Sequence, residues 1–175
     1  MTKLLLPGLL VAIAPIAAAQ TPTTHAPIDS SWLSSDSATK TATFALTSGL
    51  TQLNGGLNFN GFNDGKLTLN VPAGWNVVIR FTNKDPNLPH SAEVVDTAKP
   101  MPAGPVEPAA FPRAMTVKLM TGLASGDSDT VKFVASKPGS YMIFCGVPGH
   151  GLAGMWIRLN VSAAERRPSL TATAK

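Results

Sequence analysis

From residue 41 onward the chain is written in short runs that alternate apolar and polar residues with period two. The runs are TATFALT, GLNFNGF, KLTLNVP, NVVIRFTN, HSAEVVD, MTVKLM, TVKFVA, SYMIFC and MWIRLNV, separated by stretches that hold Gly, Asn, Asp and Pro. Successive side chains of a strand point to opposite faces, so such alternation is the imprint of half-buried strands. Strands this short, interrupted this often, bury their apolar faces by stacking two sheets or by closing a barrel. No stretch carries a convincing helical period. The expected fold class is therefore all-β, an antiparallel sandwich or barrel, with 15 Gly and 15 Pro supplying the turns. A length of 175 residues gives one domain with a single core.

The alternation also assigns faces. Tyr141, Ile143 and Cys145 share one row, while Met142 and Phe144 share the other; in the last run Met155, Ile157, Leu159 and Val161 form the apolar row. Cys145 and Met155 are thus both expected to face the core. Two stretches break the pattern. One is the proline-rich loop 99–112, read first as a long rigid loop and alternatively as a shield for the side of the domain that carries the candidate ligand residues. The other is the glycine-rich turn 146–154.

The first residues, MTKLLLPGLLVAIAPIAAAQ, have a basic start at Lys3, an apolar stretch and a small-residue run before Gln20, which reads as a signal peptide over 1–19. Its apolar stretch is shorter than the roughly 20 residues of a spanning helix and contains Pro7 and Pro15, so a membrane tether is not expected. Residues 20–31 read as a flexible leader, 32–162 as the domain and 163–175 as a mobile polar tail. The expected location is exported, periplasmic or otherwise extracytoplasmic, and the expected state a monomer. The net charge of +4 is modest and the basic residues are scattered, with only Arg166 and Arg167 adjacent, so no nucleic-acid partner is expected.

Cys145 is the only cysteine. It cannot form an internal disulfide, and an unpaired thiol in an oxidising compartment is a liability unless something occupies it. Around it the chain reads YMIFCGVPGHGLAGMW, with His150 five residues after Cys145 and Met155 five after that. A second imidazole, His90, stands at another strand edge in DPNLPHSAEVV. Two imidazoles and a thiolate in a trigonal plane with a weak axial thioether make a type 1 copper ligand set. Singly, each residue has a plainer reading: Cys145 as inert packing, Met155 as core, His90 as a turn cap. The chain order and the shared core-facing rows are what point to one copper ion held by His90, Cys145, His150 and Met155. His25, in the leader, reads as solvated.

Soft thiolate and thioether favour Cu(I) while imidazoles suit Cu(II), so the set supports a change of charge with little movement of ligands. The expected function is a one-electron carrier. A periplasmic copper-binding or chaperone protein is the alternative, although such proteins use accessible Met- or His-rich runs and the six methionines here are dispersed. An enzyme is not expected, because a catalytic copper cluster needs more histidines than the three present.

GLNFNGF, NVPAGWNVVIRFTN, LPHS and CGVPGHGLAGMW resemble the cupredoxins, sulfocyanins in particular and rusticyanins more distantly, over about residues 32–161. The resemblance implies a Greek-key β-sandwich, equatorial ligands at His90, Cys145 and His150, an axial ligand at Met155, and redox protein partners that dock at the exposed edge of His150. It also implies that Ser91, the residue after the first histidine, ties the two ligand loops together near the cysteine sulfur through its hydroxyl or its backbone N–H. Sulfocyanins are typically tethered by an N-terminal membrane segment, whereas the segment here reads as cleavable.

Overall fold

The computed structural model describes residues 27–97 and 100–173. The signal segment expected at 1–19, the first part of the leader, His25 and Lys99 lie outside the described residues. Nine strands form two sheets: β1 (Leu33–Asp36), β2 (Thr41–Ser48), β3 (Leu67–Pro72), β4 (Asn76–Asn83), β5 (Glu93–Asp96), β6 (Ser128–Val134), β7 (Gly139–Phe144), β8 (Trp156–Ser162) and β9 (Ser169–Ala172). The four-stranded sheet runs β1-β2-β4-β6 and the five-stranded sheet β5-β7-β8-β3-β9. The all-β sandwich read from the alternation is the fold.

The sandwich is not purely antiparallel. β2 pairs parallel with β4 and β3 parallel with β8. The chain leaves β2 for β3 in the opposite sheet and returns to β4 beside β2, so two reversals restore the original direction. Periodicity cannot reveal this, because it records faces and not neighbours.

Burial follows the expected rows. β2 alternates half-buried and buried residues along its whole length, placing Ala42, Phe44 and Leu46 inside. The core between the sheets also takes in Val77, Ile79 and Phe81 from β4, and Ile157, Leu159 and Val161 from β8. Each such side chain contributes about 1.5–3 kcal/mol on burial. Cys145 and Met155 belong to this cluster with no exposed surface.

Two expected runs do not form strands. In GLNFNGF, Asn54, Gly55, Gly56, Asn60 and Gly61 in and beside the run all sit at positive φ. The buried side chains of Asn58 and Asn60 instead bond backbone: Asn58 Nδ2 donates to Thr51 O and Leu53 O, and Asn60 Nδ2 to Ala45 O. Side-chain amides here outcompete the ladder. MTVKLM fails because Lys118 turns at φ 52°, leaving Val117 and Met120 about 60% exposed.

The tail expected to be mobile at 163–175 instead supplies β9, paired antiparallel to β3 from Ser169 to Ala172. Asn70 Nδ2 donates to Ser169 Oγ and Thr171 Oγ1, and Leu170 packs on the core. Without β9, β3 would be a bare edge; pairing satisfies its backbone although the tail itself has little apolar content. The ordered domain therefore runs beyond 162. At the other end, Trp32 meets Phe62 edge-on at 6.3 Å between ring centroids, so the chain just after the leader docks on the fold.

The proline-rich loop has a definite place. Met101 and Val106 pack on Val95, Met142 and Phe144, forming a small second core on the outer face of the five-stranded sheet. Phe111 turns into the main core beside Phe133 and Tyr141. This is why both rows of β7 are buried.

Candidate metal centre

Cys145 follows β7 directly and Met155 directly precedes β8, so antiparallel pairing of these strands clamps the two ends of the loop between them. Cys145 N donates to Met155 O, and Met155 N donates to His150 O. His150 is thus fixed by the neighbour of β8 as well as by its own turn, where His150 N donates to Val147 O. The loop is also buttressed from outside. Gly149 N donates to Ala103 O of the proline-rich loop. Gly146 lies so close to Leu119 that an added Cβ would stand 2.7 Å from Leu119 Cδ1.

His90 comes from the other side, at an isolated antiparallel bridge with Leu123 just before β5. The fold brings its Nδ1 to 3.2 Å from Nδ1 of His150 and 3.9 Å from Cys145 Sγ; His150 Nδ1 lies 3.5 Å from the same sulfur. The centre of that triangle is roughly 2.1 Å from each donor, close to the ~2.0–2.3 Å reach of metal bonds to imidazole nitrogen and thiolate sulfur. Among the described residues these are the grouped metal-binding side chains of the His, Cys, Asp and Glu types. Met155, the fourth residue expected, is buried at the end of the same loop.

The protonation states suit a cation. Burial pushes the Cys145 thiol up, against hydrogen bonds from the backbone of Ser91 and Val147. Burial pulls His90 down against the opposing effect of Asp85, and pulls His150 down with help from His90. Both imidazoles therefore offer lone pairs, and the sulfur awaits a positive charge to stabilise its thiolate.

Ser91 ties the loops as expected, and the geometry distinguishes the two candidate donors. Its backbone N–H donates to Cys145 Sγ at 3.4 Å. The hydroxyl donates to Leu119 O at 2.7 Å and accepts from Gly146 N at 3.1 Å, leaving it 3.9 Å from the sulfur. The N–H is the group that favours thiolate charge.

Asp85 is a residue that sequence reasoning missed. Its Oδ2 lies 3.1 Å from His90 Nε2, on the far side of the ring from the donor triangle, and Oδ1 accepts from Asn87 N and Leu88 N. Burial raises Asp85, but these hydrogen bonds outweigh it and hold the carboxyl below its ordinary value. The available signal was a carboxylate in DPN, an Asx-turn pattern, five residues before the candidate ligand His90.

Residues 29–171 match the sulfocyanin (SoxE) domain family. The chain belongs to the sulfocyanin family. It is 31% identical over 112 residues to the sulfocyanin of Sulfolobus acidocaldarius, covering 60% of this chain and 55% of that one. The chain thus spans a little over half the length of that relative. The fold matches rusticyanin from Thiobacillus ferrooxidans at a TM-score of 0.54 and 21% identity, over 70% of this chain and 82% of that one. A rusticyanin variant gives a TM-score of 0.55 at 22% identity, over 70% and 78%. The sandwich is therefore a cupredoxin fold. Members of this family carry one copper ion, and His90, Cys145 and His150 lie close enough together to form a possible ligand set for it.

Proposed function

We propose that this chain is a one-electron carrier built on a mononuclear type 1 copper site, with His90, Cys145 and His150 as equatorial ligands and Met155 as the axial one. Bound copper supplies the Cu(II)/Cu(I) couple. The observation that carries the proposal is the closure of the site: His90, Cys145 and Met155 have no exposed surface, while His150 alone is half-buried. Two strands, the Ser91 bridge and the Ala103 contact hold the donors in place, so a change of charge meets little rearrangement. Enclosed ligands of this kind favour a resident ion over the exchangeable one of a copper chaperone.

Electrons leave by the exposed edge of His150. Around it stand Pro148 and Leu152, the latter 58% exposed, while Gly151 is turned inward. An apolar rim of this kind suits brief docking of a redox protein partner. The reading includes export, with 1–19 as the signal, and a monomeric carrier.

Titration with Cu(II) is expected to give an intense blue thiolate-to-copper band at one equivalent, bleached by reductant and absent in Cys145→Ser. Absence of the band in the parent protein sinks the proposal. Rapid loss of copper from the reduced protein to a strong chelator, within minutes, favours the chaperone reading.

A further inference from the structure

Asp85 occupies a niche built around it. Gly49 and Gly56 line the niche, and an added Cβ at either would collide with Asp85: at Gly49 with its Cβ and backbone, at Gly56 with Oδ2. Asn83, fully buried, accepts from Asp85 N through Oδ1 and donates through Nδ2 to Leu88 O and Leu123 O. Oδ1 accepts from Asn87 N and Leu88 N, and Oδ2 lies 3.1 Å from His90 Nε2. Two backbone N–H donors favour the ionised carboxylate, and an anion can only accept, so it calls for a proton on Nε2. Among the described residues no Lys or Arg pairs with it; the group facing Oδ2 is His90 Nε2.

We propose that Asp85 is a positioning residue that sets both the tautomer and the electronic character of the copper ligand His90. Accepting from Nε2–H leaves the Nδ1 lone pair free and directed at the donor triangle, as carboxylates do for metal-bound histidines. The buried negative charge, one imidazole away from the ion, stabilises Cu(II) over Cu(I) and so lowers the reduction potential. It opposes burial, which favours the lower-charged Cu(I) state, and the Ser91 N–H, which draws charge from the sulfur. This inference rests on the copper site proposed above.

The test is Asp85→Asn, which keeps the shape and one acceptor but removes the charge. At a fixed solution poise the Cu(I)/Cu(II) ratio is expected to rise at least tenfold, about 59 mV for one electron. In the copper-free protein, 15N NMR is expected to show His90 as the Nε2–H tautomer in the parent, and to show that preference lost in the variant. A ratio within twofold of the parent, with the tautomer unchanged, overturns the proposal and leaves Asp85 as the stop of the 85–88 turn. Lower thermal stability with neither readout moved overturns it equally. A parent protein without a blue band defeats the copper site itself, so the two failures are distinguishable.

Discussion

Ser91 shows how one small side chain joins two loops. Its hydroxyl satisfies Leu119 O and Gly146 N at once, while its N–H faces the sulfur. Ser91→Ala leaves those two backbone groups without their partner, at a cost of about 1–3 kcal/mol. Denaturation of the copper-free variant measures that loss. The blue band is expected to survive, because the N–H to sulfur remains. Loss of the band at unchanged stability would assign the hydroxyl the electronic role instead. Among the proposed ligands, Cys145, His150 and Met155 were legible because they lie within eleven consecutive residues. His90 was legible only through the copper ligand set it completes, and Asp85 was missed because a carboxylate in a turn looks like any Asx cap.

β9 and the proline-rich loop act as whole elements. β9 covers the edge of β3, and deleting residues 169–175 removes the Leu170 contact and the backbone pairing. The expected loss is about 2–4 kcal/mol, from partial burial of one leucine and a few hydrogen bonds. Thermal melting of the truncated chain checks it; an unchanged midpoint means that the strand adds nothing. The proline-rich loop anchors itself through Ala110 N to Val94 O, Val106 N to Glu93 Oε2, and Gly149 N to Ala103 O. The loop expected to be a rigid connection packs Met101 and Val106 on the outer sheet face, and through Ala103 it also braces the 146–154 turn. Its prolines advertised stiffness, but their sequence carried no periodic signal of where it would lie.

For the molecule as a whole, stability responds to pH through a carboxyl buried far from solvent. Glu93 is buried, with Oε1 unpartnered and Oε2 accepting from Val106 N. Burial raises its carboxyl above the ordinary value, opposed by Val106 and assisted by Glu107. The folded chain therefore binds this proton more tightly than the unfolded one. Below the unfolded carboxyl's pKa, about 4.3, both states hold it and its favourable contribution is fully present; as pH rises through the folded value, that stability is lost. Glu93→Gln removes the titration, so its stability relative to the parent is expected to improve as pH rises above the ordinary carboxyl value of about 4.3 in copper-free denaturation curves. A difference that stays constant with pH rules this out.

Side-chain period and short-range spacing are local properties, and they were enough to establish the class of fold and the rows that face inward, and to single out three candidate ligands on one loop. The parallel pairing of β2 with β4, the conversion of the tail into a strand, and the yielding of GLNFNGF to its own asparagines emerged only once the chain was folded. So did the places of His90 and Asp85. Those outcomes depend on which distant backbone or side-chain group arrives as a partner, and competition between partners leaves no mark on periodicity.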